Sequence, residues 1–448
     1  MRNGRTTAQV SRAQVSRAHD PRPLLLANAR VIDPSRGADF HGDVFLADGV
    51  VKDAGFGIAA AGIPDGAEVV ECAGAVVAPG LVDMRAFVGE PGAEHRETLA
   101  SASHAAAAGG VTTIICQPDT DPAVDDPAIV DFILRRARDT AVVRVHPMAA
   151  ITKGLEGHEM TEIGLLQAAG AVAFTDGHKS IMNAQVLRRA LTYARDFDAL
   201  LVHHTEDASM SQGAMNEGAF ASRLGLSGNP KAAETIILER DVRLVGAARS
   251  RYHAAALTCA ESLEVLERAK TAGLPVTASV SINHLSFNEL DIGAYRTYFR
   301  LAPPLRGEED RQALIRALAS GLLDVVVSDH LPQDVEGKRL PFSEAEPGAI
   351  GLETLLSAAL RLVHSDQVDL VNLLAALSTR PAQILGLDAG TLRPGAAADV
   401  IVFDPGMPYV LDPRSLKSRC RNTPFDEARL DGRVLRTIVA GQTVYEYV

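Results

Sequence analysis

Cysteine is scarce in this chain of 448 residues: Cys72, Cys116, Cys259 and Cys420 are its only four, far apart and without the paired spacing of thiolate metal sites. That scarcity excludes a disulfide scaffold and reads as a reduced, cytoplasmic thiol set. No apolar run approaches the roughly 20 residues that a bilayer-spanning helix needs, so no membrane role is expected. Positive charge is in deficit, 44 Lys and Arg against 56 Asp and Glu, for a net charge of −12. A nucleic-acid or anionic-membrane partner is therefore not expected. No Gly-rich phosphate loop follows the first barrel-like strand, which weighs against a doubly wound open sheet. The opening residues carry Arg2, Arg5, Arg12 and Arg17 but no apolar segment of the secretory kind, and 1–22 read as a disordered basic tail.

What is present is a β-rich texture at both ends and a β/α alternation between them. LLLANARVIDP and GDVFLADGVVKDAG contain the turn signals Asp33-Pro34 and Asp48-Gly49, and ADVIVFDP, GRVLRTIVAG and QTVYEYV repeat the pattern at the other end. Residues 23–78 and 388–448 are expected to combine into one small β-sandwich. Over 79–387, the runs VTTIICQ, VRVHPMAA, AVAFT, ALLVHH, VRLVGAA, PVTASVS and DVVVSDH read as strands. They alternate with amphipathic stretches such as PAIVDFILRRARD, NAQVLRRALTYARD, AESLEVLERAKTAG and EEDRQALIRALASG. About eight such units over roughly 300 residues fit an α/β TIM barrel with a composite terminal domain.

Polar residues at the C-terminal ends of barrel strands are the candidates for chemistry. Here they are Asp83 and Arg85, Asp119, Asp176 with His178, His203, His204, Glu206 and Asp207, and Asp329 with His330. Acids and imidazoles at several strand ends point first to a metal-assisted hydrolase.

The ordered stretches APGLVDM, EPGAEHRET, AAAAGGVTTIICQPDTDP, ITKGLEGHEMTEIGLLQAAGAVAFTDG, HHTED, PPLRGEEDR, VVSDHLP, GLETLL and LRPGAAADVIVFDP make the chain resemble the dihydroorotase family of cyclic amidohydrolases. So does NTPFDEARLDGRVLRTIVAGQTVY near the C-terminus. The resemblance implies an eight-stranded barrel with a β-sandwich made from both termini. It also implies zinc-dependent interconversion of carbamoyl aspartate and dihydroorotate in pyrimidine biosynthesis.

Carried over residue by residue, however, the resemblance breaks at the metal. The family's Asp-x-His-x-His-x-Arg element reads Asp83-Met84-Arg85-Ala86-Phe87-Val88-Gly89, so Arg85 and Phe87 replace two histidines and Gly89 replaces the carboxylate-gripping arginine. Ala256 stands at a further histidine position, Asp119 at the Asn of a Pro-Asn-Thr element, Ala302 at the Asn before Pro-Pro-Leu-Arg, and Gln333 at the last His of Ser-Asp-His-x-Pro-His. Only Asp176, His204 and Asp329 remain of the ligand positions, Asp329 also being the family's proton shuttle.

The chain is accordingly expected to be a non-catalytic homologue, with no cofactor. Arg85 is expected to pair with Asp329 or Asp176 and to supply the charge of the missing dication. No catalytic, substrate-binding or metal residue is assigned. By resemblance, such a homologue acts as a structural or regulatory partner of aspartate transcarbamoylase and is a homodimer. The alternative is a residual mononuclear zinc dihydroorotase, or another cyclic-amide hydrolase, on Asp176, His204 and Asp329; a third reading makes Arg85 the grip of an anion sensor. His203 is expected to face away from His204, His284 to be structural and Cys259 an inert thiol. His178 reads as a surface loop residue, and Arg306 with the following EEDR as a helix entry carrying solvated charge.

Overall fold

The computed structural model describes residues 22–62 and 65–447; of the tail expected over 1–22, only Arg22 lies among them. Parallel strands Leu81–Ala86, Val111–Cys116 and Arg144–Pro147 pair in sequence. A bridge position at Phe174 links Ala149 to Leu201. Strands Leu201–His204, Tyr252–Ala255, Val276–Ser281 and Val325–Val327 continue the series, and a parallel bridge from His330 back to Ala86 closes it. The eight segments form a closed barrel. Much of its interior is apolar: Val82 and Met84, Leu200 and Val202, and Val325 and Val327 belong to one buried cluster. Spacing by two is what the strand pleat requires for side chains sharing a face.

The amphipathic stretches form helices at Pro127–Thr140, Ala184–Arg195, Ala260–Thr271 and Glu308–Ala319. The first is started by Asp126, whose side chain accepts from the Ala128 N–H, with Pro127 in the first turn where its missing N–H costs nothing. One expected strand is not a strand. VRLVGAA is the last part of the 17-residue helix Ala232–Ala248, which buries Ile237, Leu238, Asp241, Val245 and Ala248 at helical spacing. The barrel strand there is Tyr252–Ala255. A short apolar run such as VRLV does not by itself distinguish a buried strand from a buried helical face.

The β-rich ends meet. Strands Leu24–Asp33, Ala38–Ala47, Val50–Gly55, Glu68–Glu71 and Val76–Pro79 share one eight-stranded sheet with Val400–Val410, Arg429–Val439 and Gln442–Glu446. The junction is the antiparallel pairing of Val400–Val410 with Val76–Pro79. Arg144, on the third barrel strand, reaches into this sheet region and forms a buried ion pair with Asp399. Among the described residues no helix is long and apolar enough to cross a membrane.

Candidate functional site

The first barrel strand carries an irregularity where the site begins. Asp83 pairs with Ile114 but Ala86 with Cys116, so three residues advance against two. Such a bulge re-aims the side chains around it. Within it, Asp83 is fully buried and accepts from the Ser328 N–H and hydroxyl and from the Arg85 N–H. Burial outweighs those bonds and pushes its carboxyl up to about 6.

Arg85 leaves the bulge with its side chain only 4% exposed, and its Nε donates to Asp329 Oδ1 at 2.8 Å. Burial works to raise the Asp329 carboxyl, but the adjacent guanidinium, with His178 and His284, holds it below the ordinary range. The two terminal nitrogens of Arg85 are buried and make no protein hydrogen bond. They belong to a residue lining a small space inside the barrel with Gln117 and His253, whose Oε1 and Nε2 are likewise unpartnered. Of the two partners expected for Arg85, the structure selects Asp329.

Asp176 is elsewhere engaged. Oδ1 accepts from the Ile151 and Thr152 N–H groups, both at 2.9 Å, and Oδ2 accepts from the Thr152 hydroxyl. Burial raises its pKa in spite of them. His204 lies in the barrel mouth with Nε2 at 3.3 Å from Glu206 Oε2, and burial lowers its pKa. His203 faces the other way: Nδ1 meets Asp241 at 2.6 Å and Nε2 accepts from the Ile181 N–H.

The positions at which the resemblance places imidazoles or a guanidinium hold other side chains. Phe87 is buried beneath the Arg96 guanidinium, 4.4 Å from the ring centre. Ala256 is buried with φ +51°, and Asp329 has φ +53°, both in the left-handed region that side chains with a Cβ rarely enter. Gly89 has no room for a replacement: a Cβ built there would lie 2.2 Å from the Ala93 carbonyl oxygen. Asp119 pairs with His178 at 2.8 Å. Burial would raise the Asp119 carboxyl, but that imidazole holds it down. His178 is thus a partner inside the mouth, 22% exposed.

Two further expectations concern neighbours of the site. His284 is buried, its Nε2 at 3.2 Å from the Pro304 carbonyl. Cys259 is also buried, and burial followed by nearby Glu234 raises its thiol well above the ordinary value. The reading of Arg306 is corrected. It is buried, donating to the Thr258 hydroxyl and to the Asn216 and Asn229 oxygens, while Glu234 accepts from Thr258. Its partners come from segments distant in sequence, so a lone Arg before an acidic helix start gave no signal of burial.

The surviving donors do not suit a catalytic zinc. Such a site needs three or more N, O or S donors converging on one point. Here one Asp329 oxygen is bound to a guanidinium that cannot deprotonate, and Asp176 is saturated by backbone and hydroxyl donors. Among the described residues no group of three His, Cys, Asp or Glu side chains is placed to hold a metal ion.

A family model described as dihydro-orotase-like matches residues 74–262. The chain is 39% identical over 424 residues to a dihydroorotase of Citrifermentans bemidjiense, covering 94% of this chain and 99% of that protein. It is 41% identical over 426 residues to a dihydroorotase of Anaeromyxobacter dehalogenans, covering 94% and 98%. Among solved structures, the L-hydantoinase (dihydropyrimidinase) of Arthrobacter aurescens superposes with a TM-score of 0.85 at 23% identity, over 94% of this chain and 96% of that one. The dihydropyrimidinase of Brevibacillus agri gives 0.82 at 20%, over 95% of each. These two likenesses establish the barrel fold.

Proposed function

Since this chain belongs to the dihydroorotase family, and its barrel mouth holds a guanidinium among the remnant ligand positions, we propose that it is a non-catalytic member. In this reading it serves pyrimidine biosynthesis as a structural or regulatory partner of aspartate transcarbamoylase, as a cytoplasmic homodimer with the composite β-sandwich as its satellite domain. The buried Arg85–Asp329 pair carries the reading. It engages the one carboxylate that would shuttle protons and puts a permanent positive charge beside it, so neither a Lewis acid nor an activated water is provided. Gly89 supports it independently. The backbone has closed over the position of the substrate-gripping arginine, so the carboxylate clamp is missing as well.

Two measurements test this. Purified protein incubated with zinc or manganese is expected to show sparse metal and no turnover of carbamoyl aspartate or dihydroorotate. Stoichiometric metal with turnover abolished by Asp329→Ala would establish the residual zinc hydrolase instead. Co-purification with aspartate transcarbamoylase tests the partnership, and a chain that neither binds that enzyme nor alters its assembly removes the scaffold role.

A further inference from the structure

A second concave region is built where segments that follow two barrel strands meet the stretch that leads into the terminal-sheet strand Arg429–Val439. It is a cavity of about 640 Å³ between segments 294–298, 333–339 and 421–426, within the size range of small-molecule sites. Neither Arg85 nor Asp329 lines it.

Its charge runs against that of the chain. Arg296, Arg339 and Arg421 line it against two carboxylates, Asp334 and Asp426, in a protein whose net charge is −12, while burial, with Arg300 nearby, pushes the Lys338 amine down to about 7. The bonding pattern shows which cations remain available. Lys338 is buried, and its Nζ donates to three carbonyls, those of Thr297, Arg300 and Glu346, so it pins the walls together. Arg296 is committed to Asp426 at 2.7 Å and stacks over Phe299. Arg421 uses one terminal nitrogen on the Ser418 and Cys420 carbonyls. The Arg339 side chain makes no hydrogen bond or ion pair among the described residues. Asp334 is partly engaged in capping, accepting from the Gly337 N–H. Two guanidinium groups with open edges therefore share a rigidly pinned cavity.

The remaining wall is aromatic. Tyr295 is 47% exposed, yet its hydroxyl is tied to the Leu224 carbonyl, which fixes the ring; Tyr298 also lines the cavity. A planar guanidinium fork matches phosphate oxygens two at a time, and a fixed ring offers a flat apolar face at little entropic cost.

We propose that this cavity binds a small phosphate ester with a planar ring, its phosphate taken by Arg339 and Arg421 and its ring lying against Tyr295 and Tyr298. None of the remnant ligands Asp176, His204 and Asp329 lines the cavity, although Gln333, which follows Asp329 in the Ser-Asp-His-x-Pro-His element, does.

Calorimetry on the full chain with adenosine 5′-monophosphate, adenosine, inorganic pyrophosphate and sulfate tests it. Saturable binding of the monophosphate is expected, about tenfold or more tighter than adenosine and weakened about tenfold by Arg339→Glu, as loss of a charge-assisted pair implies. Arg339 is exposed and unpaired, so that variant is expected to fold normally, and its unchanged melting temperature checks this. Tyr298→Ala is expected to weaken the monophosphate but not pyrophosphate. The proposal is overturned by no saturable binding of either phosphate probe, by adenosine or sulfate binding as tightly as the monophosphate, or by binding that survives both Arg339→Glu and Arg421→Ala.

Discussion

Arg85 and Asp329 are both withdrawn from water, so each makes the other tolerable. A buried charge deprived of its partner costs about 3–5 kcal/mol, whereas replacing both by apolar groups is often nearly neutral. Arg85→Met alone is therefore expected to lower stability by roughly 3 kcal/mol, and Arg85→Met with Asp329→Leu to restore most of it, as read by denaturant titration. Equal losses in the single and double variants would mean that the pair is not coupled. Asp83 allows a test by pH. Its folded pKa, about 6, lies above the unfolded value, so the native state binds more protons between about pH 4 and 6. Stability from this group is present at the acid end and lost as pH rises through 6, by an amount on the order of 2–3 kcal/mol. Asp83→Asn is expected to remove that slope, so a titration of denaturation midpoint that is identical in both proteins would contradict it. At this scale the sequence was informative. The resemblance sets Arg85, Phe87 and Ala256 at imidazole positions, and charge left Arg85 two partners, Asp329 or Asp176, between which only the fold chose. Arg306 was not legible, because its partners Thr258, Asn216 and Asn229 converge only in the folded chain.

The strands and loops that frame the mouth carry an unusual backbone. The bulge at Asp83–Ala86 re-aims Arg85, and Ala256 and Asp329 sit in left-handed conformations that cost about 1 kcal/mol or more for a residue with a Cβ. A methyl group gains nothing from that geometry. Arg85→His, Phe87→His and Ala256→His in combination are thus expected to raise zinc content from sparse to about one ion per chain, measured by elemental analysis after dialysis. A folded triple variant with no zinc would show that the backbone has drifted too far. Element types were readable where the period was long: Pro127–Thr140 and Ala184–Arg195 announce themselves by their apolar spacing and caps. The run VRLVGAA misled because its few β-branched residues outweighed the helical spacing that begins much earlier, near Ala233.

At the scale of the whole molecule, barrel and terminal sheet are tied by the buried Arg144–Asp399 pair, with Asp399 also accepting from the Ala440 N–H at 2.8 Å. Asp399→Asn is expected to cost about 3 kcal/mol and to lower the denaturation midpoint of the whole chain. A loss confined to the sheet, with the barrel's transition unmoved, would mean that the two parts unfold separately. Such long-range ties are what single-segment patterns hide, although the matching β-rich texture of the two ends did suggest that they meet. That meeting has a consequence in time. Strand Val76–Pro79 receives its partner Val400–Val410 only after more than 300 further residues have been made, roughly 15–65 s at ordinary ribosome speeds. Throughout that interval one side of the nascent sheet is an open edge, and an open edge can recruit a foreign strand. Shortening the polypeptide at the carboxyl end would leave that gap permanent.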